Sequence, residues 1–116
     1  MTKYKNKKTT VFGITFDSKR EADRYLILRT LERQGVIKDL RLQVRYELIP
    51  EQREPGTIGP REGKVIEKAC NYVADFVYVD NQGNEVVEDA KGVRTKEYRI
   101  KKKLMLWVHK IKIKEW

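Results

Sequence analysis

The stretch that decides the fold is residues 71–92, which read NYVADFVYVDNQGNEVVEDAKG. Two apolar runs flank a polar cluster at residues 80–84, and Gly83 stands in that cluster where a tight turn needs a residue that tolerates positive φ. Runs of this length on either side of such a cluster are typical of β-strands. The sequence therefore predicts two adjacent antiparallel strands joined by a turn.

Charged side chains interrupt both predicted strands. Asp75 lies in the first apolar run, Asp89 ends the second, and Lys91 follows two residues later. Because side chains alternate between the two faces of a strand, Asp89 and Lys91 should project from the same side. Burying such charges is costly without a partner. The three residues therefore form either an internal ion pair or the binding site of a cation, and a buried ion pair rarely stabilises more than an apolar replacement.

The composition predicts one globular domain with a basic surface. The chain has 116 residues, of which 40% are hydrophobic and 37% are charged, and 26 Lys and Arg against 17 Asp and Glu give a net charge of +9. This excess favours a polyanionic partner such as nucleic acid, although a merely basic surface remains the alternative. Cys70 is the only cysteine, which excludes internal disulfides and CxxC zinc sites. No run is apolar enough for a signal peptide or a membrane span, so we expect a cytoplasmic protein.

The rest of the chain is predicted to add elements on both sides of the hairpin. Residues 1–9 predict a mobile basic arm, and residues 11–16 a short ribbon with a glycine turn. Residues 36–49 alternate between apolar and polar side chains, which predicts a strand with one packed face. Residues 50–69 predict a long loop or a protruding arm, and residues 111–116 a last short strand.

The first helix is predicted to begin after Ser18 and to end near Gln34, before Gly35. Ser18 and Glu21 have the spacing of a capping box. Glu21 also falls angularly within the buried stripe, so it is either a cap alone or a third carboxylate for the acids on the sheet. The predicted stripe consists of Tyr25, Ile27, Leu28 and Leu31, with Arg20, Arg24, Arg29 and Arg33 bordering or opposing it.

A second, basic helix is predicted from the N-cap Thr95 to about Val108. Its predicted buried stripe consists of Ile100, Leu104, Trp107 and Val108. Its predicted basic face consists of Lys96, Arg99, Lys102 and Lys103, which either is solvated or faces a phosphate backbone. Trp107 and Trp116 are interpreted as packing residues rather than as platforms for nucleobases.

Two carboxylates and a lysine in one place are suited to a hard divalent cation. Mg²⁺ or Mn²⁺ prefers oxygen ligands, whereas Zn²⁺ prefers His and Cys. Such an ion can activate a bound water and neutralise charge that develops on a phosphate, and a nearby lysine can assist. Together with the basic surface, these residues favour phosphodiester hydrolysis.

Three motifs carry a resemblance to a known family. They are GITFDSKREA at residues 13–22, YVADF at residues 72–76 and VVEDAKG at residues 86–92. The arrangement of Asp75, Asp89-Ala90-Lys91 and Glu21 resembles the PD-(D/E)XK nuclease superfamily, and most closely its small phage-type, RecU-like Holliday junction resolvases. The resemblance spans most of residues 12–114 and weakens across residues 50–69. Ala74 replaces the proline that names the motif.

The resemblance implies an α/β fold with a restriction-endonuclease-like core, in which a helix precedes a mixed central sheet and a basic helix follows the hairpin. It implies a Mg²⁺-dependent structure-selective endodeoxyribonuclease, in which Asp75 and Asp89 bind metal, Glu21 assists, and Lys91 acts on the attacking water. A phage-encoded homodimer acting on branched DNA in the host cell would follow, with residues 50–69 in the dimer interface or at the junction centre. The expected DNA contacts are Gln43, Arg94, Lys96, Arg99, Lys102 and Lys103. The alternative is a non-catalytic basic nucleic-acid-binding module with a nuclease-like fold.

Overall fold

The elements follow one another in the predicted order of ribbon, helix, strand, arm, two strands, helix and strand. The computed structural model describes residues 7–55, 63–91 and 93–116. The elements are β1 (Thr9–Val11), β2 (Ile14–Phe16), α1 (Lys19–Arg33), β3 (Lys38–Ile49), β4 (Gln52–Arg53), β5 (Val65–Glu67), β6 (Cys70–Val79), β7 (Glu85–Asp89), α2 (Lys96–Leu104), a π-helical turn (Met105–His109) and β8 (Lys114–Glu115). The fold is mixed α/β.

The central sheet is built on the predicted hairpin. Its strand order is β3-β6-β7-β8, in which β3, β6 and β7 are antiparallel and β8 runs parallel to β7. Asp80 organises the turn of the hairpin, because its Oδ1 accepts the backbone N–H groups of Gln82 and Asn84 at 2.9 Å. Gly83 has a φ of +84°, a conformation that costs glycine little. The hairpin prediction is therefore confirmed.

The sheet has two cores, one against each helix. The core against α1 consists of Phe16, Ala22, Tyr25, Leu28, Ile37, Phe76 and Tyr78. The core against α2 consists of Leu48, Tyr72, Ala74, Val77, Val87, Tyr98, Met105 and Ile113. Along β3, Leu42 packs with the first core and Val44 with the second. Gln43, between them, has a φ of +53°. Strand β3 therefore passes from one core to the other at a residue in the left-handed region.

Helix α1 has the predicted ends. The Ser18 hydroxyl accepts the N–H of Glu21 at 3.1 Å, and Gly35 follows the helix with a φ of +76°. Tyr25 and Leu28 are buried as predicted. Ile27 is exposed, so its place in the predicted stripe is wrong.

Arg24, which was predicted to border or oppose the buried stripe, is itself buried. Its Nη2 donates to Glu88 Oε1 at 2.8 Å, and the Tyr78 hydroxyl donates to the same oxygen at 2.8 Å. Glu88 is fully buried on the α1 side of β7. A buried carboxylate needs a charged partner and hydrogen-bond donors, and Arg24 and Tyr78 supply both.

Helix α2 begins as predicted but is rotated relative to the predicted stripe. The Thr95 hydroxyl accepts the N–H of Tyr98 at 3.1 Å, which confirms the cap. The buried residues are Tyr98 and Met105, whereas Ile100, Trp107 and Val108 are exposed. The predicted basic face is also wrong for Lys102, which turns inward to an ion pair with Glu115 at 3.2 Å.

Two features, one long-range contact and one local change of helix type, account for the positions of these side chains. The Tyr98 hydroxyl donates to Glu115 on β8 at 2.7 Å, which turns this side of the helix toward the sheet. The helix then widens into the π-helical turn at Met105–His109, which changes the helical phase of the residues that follow. Neither feature is encoded in the spacing of apolar residues within the helix.

The segment between β3 and β6 contains a short antiparallel ladder. β4 pairs with β5 at the base of this segment. The pairing favours the predicted protruding arm over the predicted long loop. Residues 56–62 lie outside the described residues, as do residues 1–6 of the predicted basic arm and Gly92. Cys70 is half-buried and packs against the α2 core. Over the described part of the chain, no helix is long and apolar enough to cross a membrane.

Candidate active site

Four residues predicted for catalysis come together from three elements of the fold. Glu21 lies in the first turn of α1, Asp75 in β6 and Asp89 at the end of β7. The β6–β7 register pairs Phe76 with Glu88, so one residue further Asp75 lies opposite Asp89. Lys91 Nζ is 3.3 Å from Asp89 Oδ2. The four side chains form one cluster, which we call the acidic cluster, where the two cores of the sheet meet.

The carboxyl groups of the acidic cluster contact one another. Asp75 lies within hydrogen-bonding reach of both Glu21 and Asp89. Its Oδ2 also accepts the backbone N–H of Ala90 at 3.0 Å, which orients the carboxylate toward the end of β7. Glu21 is buried although its backbone N–H, not its carboxylate, completes the helix cap with Ser18. The capping role therefore leaves the Glu21 carboxylate available to the cluster.

Asp89 is the most constrained member of the acidic cluster, with only 1% of its surface exposed. Its Oδ2 accepts the Tyr72 hydroxyl at 2.6 Å in addition to the contact with Lys91. Its Oδ1 is buried and has no hydrogen-bond partner within the part of the chain that the structure describes. An unpaired buried carboxylate oxygen is costly, and such atoms in native folds usually indicate a missing ligand or a functional role.

Burial and mutual repulsion make these acids hold protons more tightly than usual. Burial, with a further contribution from the hydrogen bond and the negative charge of Asp75, raises the pKa of Asp89 to about 7. Burial also raises the pKa of Asp75, where the charge of Glu21 adds to the effect, and it raises the pKa of Glu21. Near neutral pH the pair of aspartates therefore retains a shared proton.

Lys91 is held by two neighbours. Besides Asp89, its Nζ lies 4.3 Å from the centroid of the Tyr98 ring, which is a cation–π geometry. The Tyr98 hydroxyl is in turn held by Glu115 on β8. Helix α2 and strand β8 thus determine where the ammonium group stands relative to the acids.

Tyr72, Tyr98 and Glu115 are site residues that the sequence analysis did not identify. A buried tyrosine needs a partner for its hydroxyl, so Tyr72 in an apolar strand was a signal that a polar group lies nearby. The signal does not say which group, because the partner of Tyr72 is 17 residues away along the chain. Glu115 near the C-terminus carried no recognisable signal.

Gln43 lies beside the acidic cluster. Continuing the β3–β6 register places it opposite Asp75, between the pairs Leu42–Phe76 and Val44–Ala74. It is exposed, and with Asp17 and Glu21 it lines an open cavity of about 230 Å³. A strained left-handed residue at the edge of such a cavity is a feature that clusters at functional sites.

The other predicted DNA contacts divide into two groups. Arg94 and Lys102 both bind Glu115, at 3.0 and 3.2 Å. The hydrogen bond from the Tyr98 hydroxyl, together with these two contacts, lowers the pKa of Glu115 to about 2. These two cations are therefore already paired with an acid. Lys96, Arg99 and Lys103 are exposed and form no ion pair with any residue that the structure describes.

The chemistry of the acidic cluster fits a divalent cation once its shared proton is lost. As the side chains stand, no three His, Cys, Asp or Glu residues in the described ranges are arranged to hold a metal ion. Asp75 and Asp89 instead lie within hydrogen-bonding reach of each other, and Asp89 Oδ1 has no partner among the described residues. Three carboxylates and an unpaired buried oxygen are the donor set that Mg²⁺ or Mn²⁺ prefers. The residues present therefore fit such an ion.

Comparison with known proteins identifies a family. A family model described as "Protein of unknown function (DUF1064)" matches residues 1–115. No curated protein and no solved structure matches the chain.

Proposed function

The chain belongs to the DUF1064 family, and we propose that it is a divalent-metal-dependent endonuclease that cleaves DNA. The observation that carries the proposal is the acidic cluster, in which Glu21, Asp75 and Asp89 converge with Lys91. At its centre is a buried carboxylate oxygen without a hydrogen-bond partner in residues 7–55, 63–91 and 93–116. A fold that only needed these positions for packing would be more stable with apolar side chains there. Retaining three acids with raised pKa in one place is the pattern of a functional site.

Glu21, Asp75 and Asp89 would hold the metal, as Mg²⁺ or Mn²⁺. When bound, such an ion supplies an activated water and positive charge next to the scissile phosphate. The proton shared by Asp75 and Asp89 has to leave before these carboxylates serve as ligands. Tyr72 keeps Asp89 in its orientation by donating to Oδ2, and Oδ1, to which none of the described residues donates, would be available to a ligand.

Lys91 is the residue that would contact the attacking water or the scissile phosphate. Its ammonium group stands 3.3 Å from Asp89 and would position the attacking water or neutralise charge that grows on the phosphate. The Tyr98 ring restricts the movement of Lys91, so the charge is oriented before substrate arrives. Preorganised charge of this kind stabilises a transition state without reorganisation at the moment of reaction.

The finer assignment is to a restriction-endonuclease-like core of the PD-(D/E)XK type. An antiparallel β3-β6-β7 sheet with a parallel β8, a helix before it and a basic helix after it supports this assignment. The acids lie on the hairpin in the spacing of the superfamily motif. By the resemblance to RecU-like resolvases, we extend the proposal to branched DNA such as a four-way junction and to a homodimer that makes two symmetric cuts.

The test is cleavage of four-way, flapped and linear DNA with and without Mg²⁺ or Mn²⁺. We expect metal-dependent cleavage that Asp75→Asn and Asp89→Asn each reduce by at least about 100-fold, while DNA binding measured in chelator persists. Glu85→Gln is the matched control, because Glu85 lies on the same strand but is exposed and distant from the acidic cluster. Its activity should equal that of the wild type.

Two results would contradict the proposal. Cleavage that survives both aspartate substitutions would come from a contaminant or from another site. Salt-sensitive DNA binding without cleavage of any substrate in either metal would identify a non-catalytic nucleic-acid-binding module instead.

A further inference from the structure

Trp107 is the most exposed large apolar side chain of the described residues. Its exposed fraction is 75%, so its interpretation as a packing residue is wrong. Trp116, by contrast, is half-buried and lies under the guanidinium groups of Arg20 and Arg24. A tryptophan this exposed adds little to the free energy of folding, because most of its ring area stays in contact with water.

The backbone that carries Trp107 is firmly held. Met105, two residues earlier, is fully buried in the α2 core. His109, two residues later, has its Nε2 2.6 Å from the backbone carbonyl oxygen of Glu47 on β3, and its ring packs edge-on against Tyr46. The π-helical turn is therefore anchored on both sides of Trp107, so the ring loses little conformational freedom on binding a ligand.

One cation is directed at Trp107 by a strained backbone. Lys110 has a φ of +61°, and its N–H donates to the Leu106 carbonyl oxygen at 3.1 Å to close the turn. Its Nζ lies 5.2 Å from the centroid of the Trp107 ring and donates to the Trp107 carbonyl oxygen at 2.9 Å. A flat aromatic surface thus stands beside a fixed positive charge.

The surroundings of Trp107 are strongly basic. Residues 93–116 contain nine Lys and Arg against two Glu, so most of the excess charge of the chain lies here. Lys96, Ile100 and Lys103 follow at intervals of four and three residues on one face of α2, and Trp107 follows four residues later in the π-helical turn. All four side chains are exposed. Three of these four positions therefore offer a cation or a flat ring, in the combination that binds phosphates together with bases.

We propose that Trp107 is a platform on which an unpaired base of a DNA strand stacks while Lys103 and Lys110 bind the adjoining phosphates. The faces of paired bases are covered by their neighbours in a duplex, so the platform selects DNA with an unpaired segment. This inference deepens the proposed function by naming its substrate class, and it rests on that function only in taking DNA as the polyanion. Trp107 lies roughly 14 Å along the helix from Tyr98, the α2 residue that contacts Lys91.

The test measures binding in chelator, where no metal-dependent cleavage occurs. Three probes are compared: a thymidine oligonucleotide, a blunt duplex, and the same duplex with an unpaired flap. Trp107→Ala should weaken binding of the oligonucleotide and of the flapped duplex by about 5- to 100-fold. Binding of the blunt duplex should change by less than about twofold, because its phosphate contacts remain.

Fluorescence and folding controls make the result specific to the ring. The oligonucleotide should quench tryptophan emission in the wild type and in Trp116→Phe, whereas the quenching should disappear in Trp107→Ala. Trp107→Phe should retain part of the affinity, because a smaller ring still stacks. The urea midpoint of Trp107→Ala should equal that of the wild type, since the ring is exposed.

Three outcomes would overturn the inference: unchanged affinity of Trp107→Ala for the oligonucleotide, an equal loss on all three probes, or emission shifted to shorter wavelength by vesicles of anionic phospholipid and unchanged by the oligonucleotide. The nuclease proposal can fail while the Trp107 proposal holds, and the two failures give different results. A wild type that cleaves nothing in Mg²⁺ but still needs Trp107 to bind unpaired DNA would refute the enzyme and retain the platform.

Discussion

Replacing Asp89 by Asn should stabilise the metal-free protein above neutral pH, although it removes a site residue. Asn has the same shape, so its amide oxygen can still accept the Tyr72 hydroxyl. Its amide nitrogen then takes the place of Oδ1, which has no hydrogen-bond partner among the described residues. The substitution therefore removes the buried charge and keeps the hydrogen bond from Tyr72, although it also removes the ion pair with Lys91.

The size and the sign of the effect follow from the pKa of Asp89. Its pKa rises from 3.8 to about 7 on folding, so between these values the unfolded chain loses its proton first and folding becomes less favourable as pH rises. At about 1.36 kcal/mol for each unit, the full penalty above pH 7 is about 4 kcal/mol. Because Asp75 and Glu21 ionise over the same range, we expect a gain of about 2–4 kcal/mol at pH 8 and almost none near pH 4.

The assay is urea unfolding in chelator from pH 4 to pH 8, with the wild type and Asp89→Asn side by side. A gain of this size shifts the midpoint at pH 8 by about 1–2 M urea. Glu88→Gln is the opposing control, because this adjacent buried acid is paired with Arg24 and its loss should destabilise the protein at pH 8. A gain that does not vary with pH, or a destabilised Asp89→Asn at pH 8, would refute the reasoning.

Four further predictions concern the same region. Mg²⁺ binding should release protons and tighten as pH rises through about 7, which calorimetry in two buffers of different ionisation enthalpy detects; a pH-independent affinity would contradict it. Tyr72→Phe should raise the pKa of Asp89 further and move the acid limb of the cleavage profile to higher pH, so an unmoved limb would count against the assigned contact. Glu21→Gln should abolish cleavage without lowering the melting temperature, because the cap uses its backbone N–H; wild-type cleavage with a lower melting temperature would make Glu21 a cap alone. Arg24→Ala should cost about 3–5 kcal/mol in urea unfolding by leaving Glu88 unpaired, and a loss below about 1 kcal/mol would show that water reaches this pair.

Local patterns predicted the hairpin and the convergence of its acids correctly. The turn at Asp80 and Gly83 and the alternation of the flanking strands determine the register, and the register alone places Asp75 opposite Asp89. The helix cap at Ser18 directed Glu21 inward for the same reason, since the angular position of a residue in a helix follows from its distance from the first turn. The mixed α/β character of the fold follows from the order of these elements.

Contacts between distant residues decided what the patterns could not. Arg24 is buried because Glu88, on another element, needs a partner, and α2 is rotated because Tyr98 and Lys102 bind Glu115 at the end of the chain. Trp107, in the π-helical turn that follows α2, is exposed to water, although its apolar side chain predicted burial.

The sequence by itself determined the secondary structure, the hairpin register and the face on which each acid lies, because these depend on neighbours within a few residues. Only the tertiary structure decided which buried charges are paired, how the second helix is turned and which oxygen of Asp89 lacks a partner within the part of the chain that the structure describes. The free energy of a buried charge depends on every group that surrounds it, and those groups come from parts of the chain that local periodicity does not connect.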